Sequence, residues 1–183
     1  LGFKDFKVED ELYSVVKFSE VKEAGRIDAE YFEPSYQKMF EHIEKRNPQK
    51  LGELVGIKKG IEPGSEAYVE DGKPFIRVSN ILKEGIGDRD QKFLSDEMYQ
   101  KFKKDYEPKV GEVLMTKDAT PGIACIVRDP IHGIISGGVL RLKSKGDVDP
   151  DYLVLFINSI IGQYQVERDA GGSIIKHWKP SEI

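Results

Sequence analysis

The chain is poor in the residues that staple or metallate small proteins. Among 183 residues it has one cysteine, Cys125, and three histidines, His42, His132 and His177. One thiol excludes an internal disulfide and a cysteine-based zinc cluster, and the histidines lack metal-ligand spacing. Cys125 lies in the apolar run Gly-Ile-Ala-Cys-Ile-Val, which predicts a buried, inert thiol. No apolar run approaches the roughly 20 residues of a membrane helix; near the C-terminus the longest is Leu153–Ile157. No basic-then-apolar signal peptide opens the chain, and a reducing, cytoplasmic setting is the expectation. The first residue is Leu1, which points to a processed chain or a piece of a longer one.

Several chemistries are missing too. There is no dinucleotide glycine fingerprint, no Gly-x-x-x-x-Gly-Lys-Ser/Thr and no Gly-x-Ser-x-Gly elbow. Asn47-Pro48 lacks the tyrosine of an Asn-Pro-Pro-Tyr motif and reads as a helix stop. Glu20-Val21-Lys22 and Glu107-Pro108-Lys109 match the Glu-x-Lys triplet of metal-dependent nucleases. A third of the residues are charged, so such triplets arise by chance, and neither sits in an apolar strand. No catalytic residue, metal ligand or cofactor site is assigned.

Charge of one sign is also absent. The chain has 28 lysines and arginines against 32 acids, a net −4. A generic phosphate binder is usually basic. The first hundred residues hold 16 cations against 21 acids and the remainder 12 against 11, so the acidic excess is N-terminal.

What is present suits a folded α+β domain: hydrophobic residues are 39% and aromatics 10%. The first 27 residues alternate weakly and predict short strands or an extended lead-in. Pro34 fits a first helical turn, and Tyr36, Met39, Phe40 and Ile43 mark one helical face. The stretch Pro74–Ile81 alternates like a half-buried strand. Ser95 caps a helix over about residues 96–105. Residues 113–116, 122–127 and 138–142 predict strands. Asp149 and Pro150 open a third helix with the stripe Leu153, Phe156, Ile157, Ile160 and Tyr164, ended by Gly171-Gly172. The order of elements predicts a mixed, twisted β-sheet with a few packed helices.

Four loops mix glycine, hydroxyl, amide and cation: 57–60, 77–80, 115–122 and 171–179. Lysine and arginine neutralise phosphates, while arginine and asparagine can pair with base edges. These loops carry a family resemblance. Arg26-Ile27-Asp28-Ala29-Glu30-Tyr31-Phe32, Leu51-Gly52-Glu53-Leu54 with Lys59-Gly60, and Gly72–Ile81 resemble, in order, segments of the target-recognition domain of type I restriction–modification specificity subunits. Gly111–Asp118 with Gly122, Ser136–Leu142, Tyr152-Leu153, Asn158-Ser159 and Gly172–Trp178 continue the order, over about residues 26–183. Ala119 stands where the family has glycine, and Pro121 where it has an apolar residue. The family continues into a long helix where this sequence ends at Ile183.

The resemblance implies one recognition domain over residues 28–183, after a lead-in over 1–27, taken from a longer specificity subunit or fused enzyme. It implies a non-catalytic module that binds double-stranded DNA, with a methyltransferase subunit or domain, and in some systems a restriction–translocase subunit, as partner. By position it implies DNA contacts by Lys58, Lys59, Arg77, Ser79, Asn80, Thr116, Lys117, Thr120, Ser173, Lys176, His177 and Lys179. Lysines would hold phosphates, and Arg77, Asn80 and His177 would touch bases. The rival reading is a protein-interaction domain whose helix near 149–168 docks a partner; a nuclease is a third.

Overall fold

The computed structural model describes residues 13–146 and 148–170. In chain order its elements are α1 (Phe18–Ala24), α2 (Pro34–Glu44), α3 (Leu51–Leu54), β1 (Val55–Lys59), β2 (Tyr68–Val69), β3 (Lys73–Ile76), β4 (Ile81–Leu82), β5 (Gly85–Ile86), β6 (Lys92–Leu94), α4 (Asp96–Tyr106), β7 (Val113–Thr116), β8 (Ala124–Ile126), β9 (Ile134–Ile135), β10 (Val139–Ser144), α5 (Pro150–Asn158) and α6 (Ile160–Ala170). Strands and helices do not alternate regularly, so the fold is α+β.

One four-stranded sheet has the order β1-β10-β7-β8 and is antiparallel throughout. Side chains alternate along β7. Val113 and Met115 face a core with Leu153, Ile157, Val166 and Ala170 of the last two helices. Leu114 faces the opposite core, with Ile76, Ile81, Cys125 and Val139. A sheet covered on both faces has nearly continuous apolar strands, which is why residues 113–115 read as an uninterrupted run.

A second four-stranded sheet has the order β2-β6-β3-β9, with β9 parallel to β3, and β4 and β5 pair as a separate antiparallel two-stranded sheet. Phe75, Leu94 and Ile134 pack there with Tyr99 of α4. Segment 134–139 stitches the two four-stranded sheets together. The Ser136 N–H donates to the Ile76 carbonyl at 2.8 Å, Ile61 N–H to Ile135 at 3.1 Å and Gly137 N–H to Ile61 at 2.7 Å. Gly60 is required at this seam, because a Cβ there would lie 2.2 Å from the Ile135 carbonyl oxygen.

Several expectations hold. Ser95 caps α4 through the Met98 N–H, and Asp149 caps α5 through the N–H groups of Asp151 and Tyr152. Cys125 is 1% exposed, and burial pushes its thiol up to about 11. The predicted face of α2 is only half-buried: Tyr36 packs on Tyr164, and the Arg168 guanidinium covers Phe40.

Three expectations need correction. Residues 13–17 form no strand and 18–24 are helical, because Glu20 accepts from the Lys17 N–H and Gly25 closes the turn in the left-handed region. The strand read over 74–81 ends at Ile76 and gives way to a 3-10 turn, Val78–Asn80. The third helix breaks at Ser159, whose hydroxyl donates to the Phe156 carbonyl at 2.6 Å. The break ends the apolar stripe: Leu153 and Ile157 are buried, but Ile160 is 70% exposed. Asn158 covers the free edge of β8, accepting from the Ala124 N–H at 3.0 Å and donating to its carbonyl at 2.7 Å. No helix among the described residues is long and apolar enough to cross a membrane.

Candidate nucleic-acid interface

Three loops from distant parts of the sequence meet over Gly137 and Gly138. Together they line an open cleft of about 620 Å³ that includes Glu62, Ser65, Tyr68, Arg77, Ser79 and Asp118. The glycines make room for it. A Cβ on Gly137 would lie 2.2 Å from Glu62 Oε1, and one on Gly138 would lie 2.7 Å from a Val78 methyl.

The loop at 77–80 is tied by Asn80. Its side-chain oxygen accepts from the Arg77 N–H at 2.9 Å, and its amide nitrogen donates to the Arg89 carbonyl at 2.9 Å. Asn80 is fully buried, so its polar groups serve the turn. The turn sets Ser79 in solvent and brings Arg77 to the cleft wall. The Arg77 guanidinium donates from Nη2 to the Asp90 carbonyl, while its Nε is buried with no hydrogen-bond partner.

The loop at 116–122 is tied by Thr116, also fully buried. Its hydroxyl donates to the Thr120 carbonyl and accepts from the Ile123 N–H at 2.9 Å. A three-residue turn closed by the Thr120 N–H on the Asp118 carbonyl, 2.7 Å, throws Ala119 into the left-handed region at φ 60°. Ala119 and Thr120 stand exposed at its tip. Lys117 is only 12% exposed, and its Nζ lies 2.6 and 2.7 Å from the two Asp118 carboxylate oxygens.

The third loop follows β1. Lys59 pairs with Glu62 at 2.9 Å. That hydrogen bond, with the lysine's charge, holds the Glu62 carboxyl below its ordinary range. Lys58 points elsewhere: it pairs with Asp105 at 2.8 Å and covers the Tyr106 ring, both on α4.

The expected contact residues therefore divide. Arg77 and Ser79 line the cleft, Lys59 and Lys117 reach it through acids that line it, and Thr120 is on an adjoining tip. Asn80 and Thr116 are interior ties, and Lys58 belongs to the α4 side. Ser173, Lys176, His177 and Lys179 lie outside the described residues. Glu62, Ser65 and Tyr68 were not anticipated; the only signal for Glu62 was its place three residues after Lys59 in a glycine-bounded turn.

The nuclease triplets have structural occupations. Glu20 caps α1, and Lys22 covers Phe18. Glu107 accepts from the Tyr99 hydroxyl at 2.9 Å and pairs with Lys109 at 2.7 Å. Among the described residues no group of three or more histidines, cysteines and acids is placed to hold a metal ion.

No family model matches the chain, and no curated protein matches it. Solved structures do. The type I restriction–modification system S subunit from M. genitalium superposes with a TM-score of 0.50 over 73% of this chain and 31% of that one, at 12% identity. The type IIG restriction endonuclease BpuSI superposes with a TM-score of 0.61 over 91% of this chain and 27% of that one, at 10% identity. The fold is one found in restriction–modification proteins. This chain spans about a third or less of the length of each. The likeness agrees with the target-recognition-domain architecture that the sequence resemblance implied.

Proposed function

We propose that this chain is the DNA-sequence-reading module of a restriction–modification system, placing a partner methyltransferase, and an endonuclease where one is present, on its target in the cytoplasm. The chemistry belongs to the partner. The observation that carries the reading is the convergence of three loops, near residues 59–65, 77–79 and 117–120, on one open cleft of a fold that also occurs in a type I S subunit and a type IIG restriction endonuclease. A rigid scaffold that gathers loops on one side is suited to reading base edges, because framework and contacts vary independently.

Ion pairing explains how an acidic chain can do this. Lys59 and Lys117 are each bound to a neighbouring acid, so DNA phosphates must compete for them. Non-specific affinity is therefore low, and specific affinity depends on base contacts and on phosphate contacts supplied by the partner. The test is a mobility shift on the target duplex at several salt concentrations. Changing Lys59, Arg77 and Lys117 to glutamate weakens binding by at least tenfold on this reading and flattens the salt dependence. Unchanged affinity at low salt removes the cleft from the DNA face.

A protein-interaction module is the second reading. It is favoured by the exposure of Leu155 and Ile160, 69% and 70%, on the last two helices. It predicts retained partner binding and no selection among DNA sequences.

A further inference from the structure

The cleft is not a basic groove: Glu62 and Asp118 both line it, and Glu62 is the more exposed of the two. Its side chain is 67% exposed, although Oε1 is 2.9 Å from Lys59 Nζ. It rests above Gly137, in space that any Cβ would fill. Lys59 holds the carboxyl below its ordinary range, and an ionised carboxylate can only accept hydrogen bonds. Arg77 lines the same cleft, but its Nε is shut away from solvent, so the exposed Glu62 carboxylate is the group a ligand can reach.

A backbone phosphate has no use for such an acceptor; it is repelled by it. The groups on duplex DNA that a carboxylate satisfies are exocyclic amino groups: N4 of cytosine and N6 of adenine in the major groove, and N2 of guanine in the minor groove. We propose that Glu62 is a specificity-determining residue that accepts a hydrogen bond from the exocyclic amino group of one base in the target. The proposal rests on the DNA-reading function above and adds an acid to a contact set otherwise made of cations, hydroxyls, an amide and a histidine. Lys59 has two roles in it: it orients the carboxylate, and it offsets the repulsion between Glu62 and nearby phosphates.

The experiment is selection from a random-sequence duplex library by the wild-type chain and by the Glu62→Gln and Glu62→Ala variants. Glu62 is exposed and outside the core, so both variants keep the fold, which circular dichroism checks. The expected wild-type motif has one position whose preference depends on Glu62; an A·T pair there identifies adenine N6, and a G·C pair cytosine N4 or, in the minor groove, guanine N2. In Glu62→Ala the preference at that position falls about tenfold, the scale of one good base-edge pair, while the other positions keep theirs; Glu62→Gln, whose side-chain oxygen still accepts, keeps a preference for the same base pair. An unchanged motif in Glu62→Ala overturns the proposal but leaves the DNA reading standing. Uniformly tighter binding to all sequences also overturns it, because Glu62 would then act only as a counter-charge to Lys59. No wild-type motif overturns the DNA reading, and the Glu62 proposal falls with it.

Discussion

Asn80 builds the loop at 77–80 from within, whereas its neighbour Ser79 stands exposed on it. It is fully buried and makes two side-chain hydrogen bonds, one from the Arg77 N–H and one to the Arg89 carbonyl, each 2.9 Å. Asn80→Ala leaves both partner groups without their bond. Leaving a buried polar group unsatisfied costs about 1–3 kcal/mol. Arg77 is half-buried and Arg89 is exposed, so water recovers most of the cost at the Arg89 carbonyl, and about 1–3 kcal/mol together is expected. For a chain of this size that is a fall in Tm of about 3–9 °C. Urea unfolding followed by circular dichroism measures it directly. Ser79→Ala, one residue away and exposed, is the control and should stay within about 0.5 kcal/mol. A loss below about 1 kcal/mol for Asn80→Ala would refute the reasoning, because the amide would then not be holding the turn.

Two further outcomes are expected. Ala119→Gly should stabilise the chain by about 0.5–1 kcal/mol in urea unfolding: φ 60° costs an alanine about 1–2 kcal/mol, and glycine's extra unfolded-state freedom returns part of the gain. Asp28 is held below its ordinary 3.8, first by its hydrogen bond with Arg26. A carboxyl depressed in the folded state adds stability above its unfolded pKa and loses it as pH falls through the folded value. The stability advantage of wild type over Asp28→Asn should therefore shrink as pH drops below about 4, and an advantage that grows there would contradict the pairing.

The sequence showed its elements where local signals and tertiary packing agree. Ser95 and Asp149 announced α4 and α5 because a cap is a local device. Residues 113–116 and 122–127 announced strands, formed at Val113–Thr116 and Ala124–Ile126, because the sheet is covered on both faces. The signal failed where a side chain competes with the regular pattern. Ser79-Asn80 continues the alternation of a strand, yet the Asn80 amide binds the backbone and turns the chain. The Ser159 break is equally hidden in an apolar run, and it is what leaves Ile160 in solvent.

The site was legible as a set of loops but not as a cleft. Nothing local says that residues 62, 77, 118 and 137 meet; that follows from segment 134–139 lying between the two sheets. Nor does sequence separate a polar residue that faces a ligand from one that ties a loop. Asn80 and Ser79 are chemically similar neighbours, one buried and the other exposed. Glu62 escaped because a search for cations, hydroxyls and amides passes over acids. The net charge of −4, which first argued against nucleic acid, has a local form: loop lysines neutralised by loop carboxylates.

The central claim is that this fold reads DNA sequence, and selection by the wild-type chain from random duplexes tests it most directly. Enrichment of one short motif, lost when Arg77, Lys59 and Lys117 are reversed in charge, is the predicted result. A library that emerges unenriched, from a chain shown by circular dichroism to be folded, would contradict it.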